Sequence, residues 1–353
     1  MKRQAIIFFL IAAIMMTLAA CNKENGLEQA HQDRSLSFEL SMASASHDTD
    51  ESKASTKSLE IKSADGSITL PLEYRVTDGI GESLLVGEVQ TKGEQINNKI
   101  QLQTIGSFKV KAWNSDHSSF LPTDDSEEST VNYTNEKWTL QEETAPLWKN
   151  ADVKTFFAYA NLPQGASVTC ECDEEHIFSY PMLKTDATDQ SDALLGYYRG
   201  SGYSDGEGVA GGVAKIQFIH PLTAVVFKQG TFDGITAIKS LSIAGVYNGG
   251  EAIVTYAYDT DGNIVPSFEW GGSRSSTTTV TQNIPVAGQF PGEGEDLGEP
   301  FIILPQDLST DNVTIKAVVT TSAGDMELMA EINTGEWMEG KTNTYTINCD
   351  IHT

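Results

Sequence analysis

Apolar and polar residues alternate along most of this chain with a period of two. Leu36, Phe38 and Leu40 are interleaved with Ser37, Glu39 and Ser41. Ile68, Leu70, Leu72, Tyr74 and Val76 repeat the pattern, as do Phe108, Val110 and Ala112 around Lys109 and Lys111. Successive side chains of a strand point to opposite faces, so the alternation predicts strands with one buried face. A long strand is predicted over 216–226, where Ile216, Phe218, His220, Leu222, Ala224 and Val226 share a face. The stretches 313–319, 326–332 and 345–351 follow the same rule. Turn formers punctuate these runs: Asp65-Gly66, Asn248-Gly249-Gly250, Asp261-Gly262 and Ala323-Gly324-Asp325. Convincing amphipathic helices are scarce. Many short strands joined by Gly- and Asp-rich turns predict an all-β chain built as two β-sandwich domains. The Gly-rich segment 200–212 offers little to pack and marks the expected boundary, with one sandwich over 35–205 and another over 206–353. Residues 44–58, rich in Ser, Thr and Ala, are read as an exposed loop after the first strand.

The first twenty residues follow a different logic. Lys2 and Arg3 precede an unbroken apolar run over 5–16, and Leu18-Ala19-Ala20 stands just before Cys21. A positive start, a short apolar core and small residues at a cut site describe a secretory signal peptide over 1–20. The run is shorter than the roughly 20 residues a helix needs to span a bilayer. The polar segment 21–34 then reads as a tether. The chain carries 49 acidic against 23 basic residues, a formal net charge of −26. That charge repels phosphate backbones and excludes nucleic acid as a partner. Beyond Cys21 only Cys170, Cys172 and Cys349 remain. An exported compartment permits disulfides, but three thiols cannot all pair, and whether two of them do is open.

Candidate chemistry is thin. Gly202-Tyr203-Ser204-Asp205-Gly206 matches the nucleophile-elbow pattern, which works only where a strand feeds a sharp turn into a helix. The residues that follow, Glu207-Gly208-Val209-Ala210-Gly211-Gly212, make a poor helix start, so Ser204 is read as a loop serine. Cys170, Cys172 and His176 raise the question of a metal, yet C-x-C is not the usual zinc spacing and reads as two thiols on one face of a strand. Asp259-Thr260-Asp261-Gly262-Asn263 begins like a calcium loop, but Ile264 and Trp270 stand where glycine and glutamate are required, and a hairpin turn explains it better. His220, between Phe218 and Leu222, reads as a core histidine. No catalytic constellation, cofactor site or metal site is expected.

Several segments together resemble the fimbrillin family, the subunits of type V pili in Gram-negative anaerobes. They are Phe108-Lys-Val-Lys-Ala-Trp113, Trp138 and Trp148 followed by Thr155-Phe-Phe-Ala-Tyr-Ala160, and Asp189-Gln-Ser-Asp-Ala-Leu-Leu195. Ile216-Gln-Phe-Ile-His-Pro-Leu222, Ile303-Leu-Pro-Gln306 and Glu336-Trp337 through Tyr345-Thr-Ile347 complete the set. Leu-Ala-Ala-Cys21 resembles the lipobox of bacterial lipoproteins. The resemblance implies two sandwiches of transthyretin-like character, and export as a lipoprotein acylated on Cys21 and anchored in the outer membrane. It also implies, for stalk subunits, that an arginine-specific protease removes the first strand. A neighbouring subunit's C-terminal strand then fills the vacant groove by β-strand addition.

Two departures bear on assembly. The stretch Lys53-Ala-Ser-Thr-Lys57-Ser58 holds no arginine where the family's cleavage region often has one, so Lys53 and Lys57 are the candidate processing positions. The alternating run over 344–351 lies at the end of the sequence, with no further donor segment after it. The expected function is therefore a structural pilus or adhesin subunit, in a minor, anchor or tip position. Its partners would be other pilus subunits, the outer membrane, and a host protein or glycan. The competing expectation is a surface lipoprotein that captures glycan, for which Trp113 on an outward face is the most suggestive residue. An exposed row of tryptophans would favour glycan capture. A first strand buried in a long apolar groove would favour the pilus subunit.

Overall fold

The computed structural model describes residues 36–43, 58–78, 99–122, 127–141, 148, 152–170, 175–201, 212–271, 274, 276–284 and 292–350. In chain order the first strands are β1 (Ser37–Met42), β2 (Ser58–Ser63), β3 (Thr69–Asp78), β4 (Ser107–Asn114), β5 (Ser119–Leu121), β6 (Ser129–Thr134) and β7 (Lys137–Leu140). Next come β8 (Val153–Ala160), β9 (Ser167–Thr169), β10 (Glu175–Tyr180), β11 (Leu194–Ser201), β12 (Val213–Ile219), β13 (Thr223–Asp233), β14 (Ile235–Tyr247), β15 (Gly250–Tyr258) and β16 (Ile264–Trp270). The last are β17 (Thr277–Asn283), β18 (Phe301–Ile303), β19 (Gln306–Asp307), β20 (Val313–Thr321), β21 (Gly324–Ile332), β22 (Glu336–Trp337) and β23 (Lys341–Asp350). A six-residue helix, Lys99–Thr104, leads into β4 and buries Leu102. The fold is all-β, as the alternation predicts.

One sheet runs β5-β4-β6-β7-β1-β12-β11-β8, and β4 also pairs with β8, so the ladder closes on itself. This flattened barrel has its own core: Phe38, Phe108, Val110, Trp138, Phe156, Ile216 and Phe218 among others. A nine-stranded sheet, β17-β14-β20-β21-β2-β3-β23-β13-β18, and a four-stranded sheet, β16-β15-β10-β9, share the second core. Closure through β4 and β8 reduces the open edge available for unwanted pairing.

The predicted long strand over 216–226 is two strands. It breaks at Pro221, whose ring fixes φ and which has no N–H to give a ladder. β12 before it belongs to the barrel and β13 after it to the nine-stranded sheet, so the chain crosses between the two cores here. Strand pairing also cuts across the expected boundary at 205. The β2–β3 hairpin joins β21 and β23, and β10 pairs with β15. These partners lie far apart in sequence, where local pattern carries no information.

The two units meet through an aromatic layer. β8 buries both faces: Phe156 enters the barrel core, and Phe157 enters the second core. Phe157 lies 3.8 Å, centroid to centroid, from His176, and Tyr197 stacks on Tyr256 at 4.5 Å and 2°. Trp113 does point away from Val110 and Ala112, as expected. It is not exposed, however, because the second unit covers that face, where it meets Phe157 edge-on at 5.6 Å.

Candidate functional site

The site that the sequence reading asks about is the place held by β1. Its alternation is used in full: Leu36, Phe38 and Leu40 are buried, and Ser37, Glu39 and Ser41 face outward. Phe38 packs edge-on against Phe108 at 5.7 Å and Phe156 at 6.3 Å. On one side β1 runs parallel to β12, in register from Ser37↔Val213 to Met42↔Phe218. The ladder is tied off at both ends, by Ser37 N–H to the Gly212 carbonyl at 3.0 Å and Ala43 N–H to the Phe218 carbonyl at 2.8 Å. Gly212 is required here, because a Cβ would sit 2.0 Å from the Trp148 ring. On the other side the pairing is slight, a single match of Phe38 with Trp138 on β7. Thus β1 is a short strand laid into an apolar slot and hydrogen-bonded chiefly along one edge. Without it the slot would be lined by Phe108, Trp138, Phe156 and Phe218, with the β1-facing edge of β12 unpaired while β11 stays on the other.

The segments that resemble the family meet one another. Gln190, fully buried, donates through Nε2 to the Lys184 carbonyl and accepts from Ile302 N–H, both at 2.7 Å. Asp192, also fully buried, lies 2.6 Å from His220 Nδ1, and its carbonyl accepts from Asn161 Nδ2 at 2.7 Å. Gln306 Nε2 donates to the Gly245 carbonyl at 2.8 Å, and Gly340 N–H to the Leu222 carbonyl at 2.9 Å. Trp337 Nε1 donates to Tyr345 Oη at 3.1 Å. Each buried side chain named here has at least one polar partner, as burial demands, while Gln306 Oε1 meets no donor among the described residues. These motif residues brace the packing around the crossover between the units.

The remaining candidates resolve as follows. Cys21, Lys53, Lys57, Cys172 and the Ser204 pentapeptide lie outside the described residues. Cys170 and Cys349 are buried, and burial pushes the Cys349 thiol up to about 12. His176 is wholly buried, with Nδ1 2.9 Å from Tyr256 Oη, and burial holds the imidazole well below 6.5. No group of three or more potential metal ligands occurs among the described residues. The Asp259 carboxylate closes the β15–β16 hairpin, accepting from Asp261 N–H at 2.9 Å and Asn263 N–H at 2.8 Å. Those bonds hold it below the ordinary carboxylate range. Trp113, Trp138, Trp148 and Trp337 are buried and Trp270 is half-buried, so the described residues present no row of exposed tryptophans.

A sequence profile of the fimbrillin-like family matches residues 96–352, well over half of the chain. The chain belongs to the fimbrillin-like family. No curated protein matches it in sequence. Among solved structures, a candidate cell adhesion protein from Bacteroides ovatus is 15% identical, with a TM-score of 0.41 over 70% of this chain and 89% of that one. A fimbrial protein from the same species is 10% identical, with a TM-score of 0.38 over 89% of this chain and 49% of that one. The fimbrial anchor protein Mfa2 from Porphyromonas gingivalis is 14% identical, with a TM-score of 0.29 over 60% of this chain and 69% of that one. Membership of the fimbrillin-like family is what the sequence resemblance anticipates.

Proposed function

We propose that this fimbrillin-like chain is a structural subunit of a surface pilus, in which β1 occupies the slot that an incoming strand takes on assembly. The carrying observation is β1 itself: apolar inward residues in a closed barrel and a one-sided parallel ladder. Backbone bonds would give a replacement strand its affinity, and alternate side chains its register. Export with acylation of Cys21 would hold the precursor at the outer membrane, and a cut at Lys53 or Lys57 would free β1. The absence of arginine from 44–57 favours a subunit that keeps its first strand and its lipid, as an anchor or other minor component does. The two cores support a two-unit organisation, with a barrel unit and a second sandwich joined at Pro221.

A lysine-specific protease acting on the purified mature chain tests the reading. The expected product is a nicked complex in which the fragment carrying β1 stays bound until denaturant or a competing strand peptide displaces it. Immediate loss of the fragment with no change in barrel stability would sink the proposal. So would absence of the chain from surface filaments purified from its own cells. Metabolic labelling with a palmitate analogue tests the lipid, which Cys21→Ala should abolish.

A further inference from the structure

The β15–β16 hairpin of the four-stranded sheet is fastened to the barrel, and one side chain of β12 meets its tip. Gln217 faces outward from the barrel, since Ile216 and Phe218 on either side of it enter the barrel core. Its Oε1 accepts from Ile264 N–H at 2.8 Å, and its Nε2 donates to the Gly262 carbonyl at 3.2 Å. A carbonyl and an N–H two residues apart are the pair that one residue of a parallel neighbouring strand engages. The Gln217 amide therefore stands in for one rung of a ladder on the outer edge of β16, whose other edge pairs with β15. Two residues on, where alternation brings the next outward N–H, stands Pro266, which has none. Gln217 thus covers the donor that this half of the edge would otherwise offer to a foreign strand.

The backbone that carries Gln217 depends on β1. β1 pairs with β12 at six positions, from Ser37↔Val213 to Met42↔Phe218, whereas β11 pairs with it at three, from Tyr197↔Gln217 to Leu195↔Ile219. Over 213–216, β1 is the ladder partner of β12 among the described residues, and Gln217 is where β11 takes over. Removing β1 frees 213–216 on both edges and leaves Gln217 as the last held residue of a fraying strand. The hairpin has two further fastenings, and both go to β11. Arg199 N–H donates to Tyr258 Oη at 2.7 Å, and Tyr256 stacks on Tyr197. β11 is paired along its whole length with β8, from Leu194↔Ala160 to Ser201↔Val153. Of these three fastenings, the one at Gln217 sits on the strand that β1 holds.

We propose that Gln217 relays the occupancy of the β1 slot to the second unit. With a strand in the slot, its amide clamps the hairpin tip and closes the edge of β16. With the slot empty, β12 frays as far as Gln217, the clamp lets go and Ile264 N–H is uncovered. A replacement strand in the slot restores the clamp, because it restores the ladder on β12. The device rests on the reading of β1 as an exchangeable occupant, and it extends that exchange to a sheet edge in the other unit.

Amide hydrogen exchange of the purified mature chain, resolved by NMR, tests it, since exchange reads local opening residue by residue. Phe38→Ala weakens β1 in its slot and should speed exchange at Ile264 at least tenfold, with Arg199 changing less than twofold. Gln217→Ala should speed Ile264 at least tenfold by itself, and adding Phe38→Ala to it should bring less than a further threefold. Should Phe38→Ala fail to fold, the milder Leu40→Val is expected to speed Ile264 at least threefold. Unchanged exchange at Ile264 in a folded β1 variant would overturn the relay. So would an undiminished effect of Phe38→Ala in the Gln217→Ala background, or acceleration of Arg199 in step with Ile264. No filament is needed for this measurement, so a chain that never assembles leaves its result intact, and a failed relay leaves the assembly reading in place.

Discussion

The first and last described strands occupy opposite situations. β1 is held along one edge, parallel to β12, and touches β7 at one residue pair. β23 is enclosed. It pairs antiparallel with β3 from Lys341↔Asp78 to Ile347↔Leu72, and parallel with β13 from Ala224↔Thr342 to Asp233↔Asp350. Its inward residues Tyr345, Ile347 and Cys349 are fully buried in the larger core, whereas β1 contributes Phe38 and Leu40 to the smaller one. The difference marks β1 as the less enclosed of the two, the condition that the proposed strand exchange requires. Removing β1 uncovers one slot and leaves the second sheet intact. Removing β23 parts the nine-stranded sheet between β3 and β13.

The comparison breaks most readily at Tyr345. Tyr345→Ala opens a cavity beneath Phe227 and Tyr74 and strands the Trp337 N–H, and should cost about 4 kcal/mol by urea unfolding. A loss under about 1 kcal/mol would show β23 to be no more essential than β1. Leu40→Ala should cost about 3 kcal/mol and report mainly in barrel signals such as Trp138 fluorescence. If the second unit unfolded in step, the two cores would be a single cooperative body.

The interface between the units supplies a pH test. His176 stays neutral when folded because burial holds it well below 6.5, while the unfolded chain takes up a proton below that pH. Its contribution is therefore fully present above about pH 6.5. It is lost as pH falls beneath that value, by at most about 1.4 kcal/mol per pH unit. Thermal unfolding at pH 7, 6 and 5 should show a shallower decline in His176→Phe than in the unaltered chain. Matching slopes would remove His176 from the account. The smallest effect is expected at Ser41, which faces outward from β1. Ser41→Ala should change stability by less than about 0.5 kcal/mol, and a larger change would mean that the outer face of β1 is also engaged.

Strand identity was legible because it depends on local alternation: β1, β3, β4, β20, β21 and β23 all lie where the period-two runs predict them. Pairing was not. The β2–β3 hairpin finds β21 and β23 some 270 residues later, and nothing local to Leu59 or Leu72 names those partners. Trp113 was assigned to the correct side of its strand, yet its burial depends on a neighbouring unit that alternation cannot see. Pro221 was a visible stop signal within the run 216–226, overridden there by an unbroken apolar face. The β1 slot was readable as a strand but not as a one-sided one, because its weak contact with β7 is a property of barrel closure.

The parallel ladder of β1 also has a mechanical consequence. A tether attached ahead of Ser37 pulls along the axis of β1, while the bonds to β12 run across that axis. Load applied in that direction falls on the whole ladder at once, as in shear, instead of opening it rung by rung. On the proposed reading, a strand that an incoming competitor would peel from one end would, by the same geometry, resist being drawn out by its own leash.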